Sequence, residues 1–365
     1  MTPDSRTRPL RVGLIGVGWG AHVQAPAFAA APGYELVALC ARTESSVRDA
    51  GTRLGISDTS TDWRSFVERE DLDLISVATP VELHHEQTLA ALAAGKHVLC
   101  EKPLAVTADQ AAEMVDAAAA SGKATAVSFE TRWQDGRYTV REQVDAGMVG
   151  TPFSVRLHQS GPYWHPSRPL QSLWMYDLAS GGGYLNGLVV HDIDFVCSLF
   201  GEPVAVCADV RSSIPTRELP DGDTLEVTAD DTSGILMRLD SGALAVITAS
   251  VVGIHARGWT FDAFGTAGTV TLSGAPRKDR ILAGGLADDG LVERELSTQQ
   301  KHRLPDADGQ AARGLVRAMA LMLEDWLPAF SGTDTSVPSF ADGLRAQRVI
   351  EAARASSAGA GWVTL

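Results

Sequence analysis

The chain has 365 residues, more than a single core of about 100 to 200 residues can order, so two domains are expected. Hydrophobic residues make up 45% and charged residues 21%, a balance that excludes disordered, collagenous and low-complexity chains. The 31 Lys and Arg against 45 Asp and Glu leave a net charge of −14 with no basic run to offset it, which argues against nucleic acid and anionic lipid as partners.

The segment Met1 to Arg11 carries Arg6, Arg8 and Arg11 but no apolar core of an export signal, and nowhere do about 18 apolar residues run without interruption. A cytoplasmic protein without membrane association is expected. Short apolar runs at Val12 to Val17, Leu36 to Cys40, Leu74 to Ala78 and His97 to Cys100 predict strands. Between them, segments near 21–31, 45–54, 82–94 and 107–121 predict helices, the last opened by a capping box from Thr107 to Gln110. Near-continuous apolar strands alternating with helices specify a parallel sheet covered on both faces, a doubly wound nucleotide-binding domain over 1–124.

Beyond Gly122 the pattern changes. An apolar run at Ala124 to Phe129 leads to a helix near 137–147, and strands then follow strands at Phe153 to Leu157, Val204 to Val210, Ser233 to Leu239, Ala243 to Ala249, Trp259 to Phe264 and Thr269 to Leu272. Asp240-Ser241-Gly242 and Thr266-Ala267-Gly268 have the composition of hairpin turns. The region 125–365 is therefore expected to be an α+β domain with a large open, mostly antiparallel sheet. A polar stretch near 275–308 suggests a long surface connection, and Ser339 can cap a closing helix over 340–357. Cys40, Cys100, Cys197 and Cys207 form no C-x-x-C pair and are expected to be reduced and inert.

Gly16, Gly18 and Ala21 form G-x-G-x-x-A between a strand and a helix, the dinucleotide fingerprint. One glycine makes the turn, the next admits a pyrophosphate, and the alanine lets helix and sheet pack closely. Trp19 and Gly20 belong to the same turn. After the second strand Ala41-Arg42-Thr43 stands where a carboxylate would take a ribose 2′-hydroxyl. Arg42 and Thr43 can instead hold a 2′-phosphate, which favours NADP over NAD, the rival reading of Arg42 being a solvated surface charge. Ala78-Thr79-Pro80 with His84, and Glu101-Lys102-Pro103, follow strands at the carboxyl edge where such sheets bind ligands. Lys102 could polarise a carbonyl or hold an alkoxide, or be an ordinary surface lysine.

These motifs, above all Glu101-Lys102-Pro103, resemble the glucose-fructose oxidoreductase, inositol dehydrogenase and rhizopine catabolism family, Gfo/Idh/MocA. The likeness continues as Gly181-Gly182-Gly183 with His191 and Asp194, and as Asp342-Gly343-Leu344-Arg345-Ala346-Gln347. The resemblance implies a Rossmann domain joined to an open-sheet domain, a nicotinamide cofactor, hydride transfer at a secondary carbinol of a sugar or cyclitol, and homodimers or homotetramers. It places Lys102 at cofactor and substrate, and Thr79, Pro80, His84 and Glu101 at the nicotinamide end. Many members carry Asp four residues before the histidine, where this chain has Gly187; Asn186 lies one residue off and is expected to turn away from that position, though it is kept among the substrate-side candidates. His191 could serve as acid or base, since an imidazole titrates near neutral pH unperturbed, or be a structural histidine, with Asp194 as its orienter or a helix cap. Arg132, Trp164 and His165 are candidate substrate contacts, the latter two equally loop anchors. No metal is expected, because neither H-E-x-x-H nor a Cys cluster occurs. Two rival functions share this fold: glycoside cleavage through transient oxidation without net cofactor consumption, and a cofactor-sensing protein without turnover.

Overall fold

The computed structural model describes residues 8–275, 278–297 and 314–365. The chain divides into two compact units, Met1–Gln134 with Gln299–Leu344, and Asp135–Thr298 with Arg345–Leu365.

The first unit is built on six parallel strands: β1 (Leu10–Ile15), β2 (Tyr34–Cys40), β3 (Thr59–Ser60), β4 (Leu74–Val77), β5 (His97–Cys100) and β6 (Thr125–Val127). Their order is β3-β2-β1-β4-β5-β6, which places the reversal of winding between β1 and β4, where doubly wound sheets bind ligands. All four residues of β4 are buried, as a strand covered on both faces requires. The helices start and stop where the sequence specifies. Thr43 caps Glu44–Leu54, which Gly55 ends at φ 73°, and Thr107 caps Ala108–Ser121 by accepting from the Gln110 N–H.

Two features depart from a split at residue 124. Strand β6 pairs in parallel with β5, Val98 opposite Thr125, so the run after Gly122 completes the first sheet. The helix Gly314–Trp326, for which the sequence reading assigned no element, belongs to the same unit. The Tyr34 hydroxyl donates to the carbonyl of Leu323, and the Trp133 indole donates to Asp325, so distant segments are held by buried polar bonds as well as apolar packing.

The second unit is a nine-stranded open sheet of β7 (Pro152–Ser160), β8 (Pro203–Arg211), β11 (Thr232–Leu239), β12 (Leu244–Ser250), β13 (Gly258–Gly265), β14 (Gly268–Ala275), β15 (Lys278–Gly285), β16 (Val292–Arg294) and β17 (Val363–Thr364). Their order is β16-β15-β14-β13-β7-β12-β11-β8-β17. A short hairpin of β9 (Thr216–Glu218) and β10 (Thr224–Glu226) lies apart from the sheet. Only β7 and β12 run parallel; every other pair is antiparallel. Alternation sets the faces: Ile235, Met237, Ile247, Ala249 and Phe261 point inward. Over them lies the helix Val190–Phe200, its Phe195 ring 5.6 Å from Phe261.

The long surface connection expected near 275–308 is corrected in its described part, because β15 and β16 occupy 278–285 and 292–294. Ile281 and Ala283 are buried opposite Leu272 and Val270. Two inward apolar residues among glycines and charges are too short an alternation to register as a strand. The remainder of that stretch, residues 298–308, lies outside the described residues. Among the described residues no helix is long and apolar enough to cross a membrane.

One ion pair is buried inside this unit. Arg137, on the helix Asp135–Asp145, donates to Asp192 Oδ1 at 2.6 Å, and the Trp259 indole donates to the same oxygen at 2.9 Å. The guanidinium lies 4.4 Å from the Trp259 ring centre. Arg137→Met should therefore lower the stability of the unit by about 3–5 kcal/mol, measured by denaturant unfolding, because Asp192 is left buried without its cation; adding Asp192→Leu should restore most of the loss. Equal loss in both variants would contradict this account.

Candidate active site

The cofactor turn begins where β1 ends. Gly16 sits at φ 102°, its N–H donates to the Cys40 carbonyl, and a Cβ there would lie 2.3 Å from the Ala78 carbonyl oxygen. No other residue fits that contact. A Cβ on Gly18 would meet nothing within 4 Å, so the backbone here faces open space. Gly20 packs against Leu14 and Ala78, and Ala21 is buried in the cluster of Leu14, Ala25, Leu39 and Ala78. The turn enters a helix through a π-helical stretch, Gly20–Gln24, and Trp19 stays 42% exposed at its start. After β2, Arg42 is exposed and has no partner among the described residues, whereas Thr43 is engaged as a cap, its hydroxyl 2.6 Å from that of Ser46.

At the ends of β4 and β5 the polar groups are tightly tied. Thr79 donates its hydroxyl to Gln87. The buried His84 ring lies between two carbonyls, Nδ1 2.9 Å from Pro103 O and Nε2 2.9 Å from Thr79 O, and as a neutral ring donates its one N–H to one of them. It thus packs between the Thr79-Pro80 and Lys102-Pro103 segments. Burial holds its pKa below the ordinary imidazole value despite both carbonyls, and the nearby Lys102 charge acts in the same direction. Glu101 is buried as well, its Oε1 accepting from the Gln24 amide at 2.7 Å and its Oε2 from the Lys102 backbone N–H at 3.2 Å. Burial raises its pKa, and Lys102 and these bonds oppose the rise. Arg132, expected at a substrate, is buried and donates to Asp342 at 3.1 Å. Asp342 also accepts from the Ser339 hydroxyl, so this part of the Asp342-Gly343-Leu344-Arg345 motif ties down a helix start.

In the second unit a loop of three glycines precedes the helix that carries His191. Gly181 and Gly183 have φ 77° and 106°, and a Cβ on Gly182 would lie 2.5–2.6 Å from the carbonyls of Trp174, Met175 and Asp177. Asn186 points back at this loop, donating to Gly181 O at 2.9 Å and Gly182 O at 3.3 Å. Asp230 accepts from the Leu185 N–H at 2.7 Å and pairs with Arg354 at 3.4 Å. Burial raises the Asp230 pKa, and Arg354 opposes it. The chain then passes through a π-helical stretch, Leu185–Val189, into Val190–Phe200. Such stretches recur at functional sites. His191 is buried, and Asp194 faces the Arg345 guanidinium at 3.8 Å. A side chain on Gly187 would meet nothing within 4 Å. Trp164 is buried against Tyr176, ring centres 4.6 Å apart, while His165 bonds Ser167 in an exposed turn.

Sequence reading missed Gln24, Ser76, Arg137, Asp192, Arg217 and Asp230. Gln24 left one signal, a polar residue within the otherwise apolar run from Val23 to Phe28. Arg217, far from any motif, donates to the carbonyls of Trp164 and Arg168 and so holds their loop.

Residues 10–129 match the oxidoreductase family with an NAD-binding Rossmann fold, GFO_IDH_MocA, and residues 138–271 match the GFO/IDH/MocA C-terminal domain. The chain belongs to this family. Levoglucosan dehydrogenase of Pseudarthrobacter phenanthrenivorans is 29% identical over 97% of both chains. Myo-inositol 2-dehydrogenase of Thermotoga maritima is 26% identical over 77% of this chain and 80% of its own. Among solved structures, levoglucosan dehydrogenase in complex with NADH and L-sorbose superposes with a TM-score of 0.88 at 28% identity, covering 98% of this chain and 99% of that one. An oxidoreductase domain protein from Kribbella flavida gives 0.87 at 30% identity, with coverage of 98% and 99%. The protein is thus an oxidoreductase with an NAD-binding Rossmann fold, and the space over Gly18 beside the strained turn at Gly16 fits a dinucleotide pyrophosphate.

The depressed His84 pKa has a measurable consequence. In the unfolded chain the ring titrates near about 6.5, so the stability of its neutral, buried form is complete above that pH and is lost as pH falls below it, by at most about 1.4 kcal/mol per pH unit. Denaturant midpoints measured from pH 7 to 5 should fall less steeply for His84→Gln than for the unaltered chain. Parallel slopes would refute the assignment of the buried neutral ring.

Proposed function

We propose that this oxidoreductase moves a hydride between a nicotinamide cofactor and a secondary carbinol or ketone of a sugar, cyclitol or related polyhydroxylated molecule. The observation that carries the reading is Lys102, placed at the end of β5 beside the switch point of the sheet, on a backbone held by Glu101 and His84. Its ammonium donates to the carbinol oxygen and favours developing negative charge there, and His191 is the candidate acid or base of the second unit. When bound, the nicotinamide supplies or accepts the hydride. The names of the relatives, levoglucosan dehydrogenase, D-glucoside 3-dehydrogenase and myo-inositol 2-dehydrogenase, support a polyhydroxylated substrate. The vacant position at Gly187 supports a chemistry in which no carboxylate one helical turn before His191 takes part.

A nicotinamide absorbance assay over a panel of sugars, glycosides and cyclitols tests this. Lys102→Met should lower kcat on the best substrate by about 10²- to 10⁴-fold while cofactor affinity persists. Full activity in that variant would remove Lys102 from the mechanism, and glycoside cleavage without net change in absorbance would favour the redox-neutral alternative.

The exposed, unpartnered Arg42 after β2 supports NADP as the preferred form, with NAD accepted. Calorimetry with Arg42→Ala should show NADPH binding weakened by about tenfold or more and NADH binding unchanged. Loss of neither would leave Arg42 a surface charge.

A further inference from the structure

Glu101 is a carboxylate almost wholly enclosed by protein, and its neighbours form a directed chain. The Ser76 hydroxyl, on β4, donates to Gln24 Oε1 at 2.6 Å. The amide orientation is set by the Glu101 carboxylate, which can only accept and so takes the Nε2 end, leaving Oε1 for the Ser76 hydroxyl. The Gln24 Nε2 donates to Glu101 Oε1 at 2.7 Å and toward the Ser128 oxygen at 3.4 Å. Gln24, Ser76 and Ser128 are each 0% exposed. Glu101 Oε2 takes the backbone N–H of Lys102. Four segments meet here: the helical stretch that opens at the cofactor turn, β4, the end of β5 and the end of β6.

We propose that Gln24 is a positioning residue, whose carboxamide, bonded to Ser76, holds the Glu101 carboxylate and through it sets the place of Lys102. The inference rests on the reading of Lys102 as the group that meets the carbinol oxygen. An apolar side chain would fill the same space at the end of the Gly20–Gln24 stretch without the cost of burying an amide, so packing alone does not call for glutamine. The energetic need lies in Glu101, since a buried carboxylate requires donors to stay ionised. Gln24, Ser128, the Lys102 N–H and the Lys102 charge all act to keep it so, against burial. Lys102 and Cys100 interact with it electrostatically, and burial pushes the Cys100 thiol far above the ordinary range, so Cys100 stays neutral. The charge beyond Lys102 is limited by His84, whose ring burial keeps neutral.

The test titrates Glu101 in the intact chain by infrared difference spectroscopy, its carboxyl band assigned by its loss in Glu101→Gln. Gln24→Met should raise the protonation midpoint by about one pH unit or more. Ser76→Ala, a smaller change that remains available if Gln24→Met does not fold, should shift it the same way by less. With the best substrate, the acid limb of kcat/KM should move up in step and kcat should fall about tenfold or more at neutral pH, with the cofactor Kd unchanged. A midpoint unchanged in the folded variants overturns the proposal. A midpoint that rises while the pH dependence of activity stays in place supports the hold of Gln24 on Glu101 and refutes instead the role given to Lys102.

Discussion

Just past the paired ends of the neighbouring strands β1 and β4, the two backbones lie so close that a Cβ on Gly16 would stand 2.3 Å from the Ala78 carbonyl oxygen. From this contact follow the positive φ of Gly16, the turn that faces Gly18 into open space, and the burial of Ala21 against Leu14 and Ala78. It also brings Gln24, at the far end of the same helical stretch, within bonding distance of β4 and of Glu101. The cofactor turn and the polar strand ends beside it are thus consequences of one steric constraint, and a methyl group at residue 16 would disturb both.

The second unit solves a similar problem by electrostatics. Its glycine loop is shaped by φ values that favour glycine, but it is fixed by charged and amide side chains reaching the backbone: Asn186 to the loop carbonyls, Asp230 to the Leu185 N–H, and Arg137 to Asp192 and toward the His191 carbonyl at 3.4 Å. Each is buried; Asp230 satisfies a backbone N–H where the helical stretch begins, and Asn186 satisfies carbonyls of the glycine loop. The helix bearing His191 is held from below and from its N-terminal end.

The sequence made the first sheet legible because its strands are continuous apolar runs set off by glycines, and made the cofactor turn legible because Gly16 has no substitute. The hairpins at Asp240-Ser241-Gly242 and Thr266-Ala267-Gly268 announced themselves through turn chemistry. Strands β15 and β16 did not, since Ile281 and Ala283 are the only buried hydrophobic side chains among the described residues of that glycine-rich segment. The polar supports were also hidden. Gln24, Arg137 and Asp230 act on residues 52 to 77, 55 and 45 positions away, and no local pattern encodes such partners. Arg132 is expected at a substrate from the family resemblance, and Trp164 either there or as a loop anchor; in the fold Arg132 bonds Asp342 and Trp164 packs on Tyr176.

The order of the strands bears on how the chain is made. Strand β7 has both of its neighbours, β12 and β13, some 90 or more residues downstream, and β8 gains its outer neighbour only from Val363–Thr364. In the first unit Tyr34 bonds Leu323, 289 positions away. Neither unit can therefore close until these downstream segments have been made. Both must keep apolar edges uncovered until then, the interval in which a nascent protein of such high contact order depends most on chaperones.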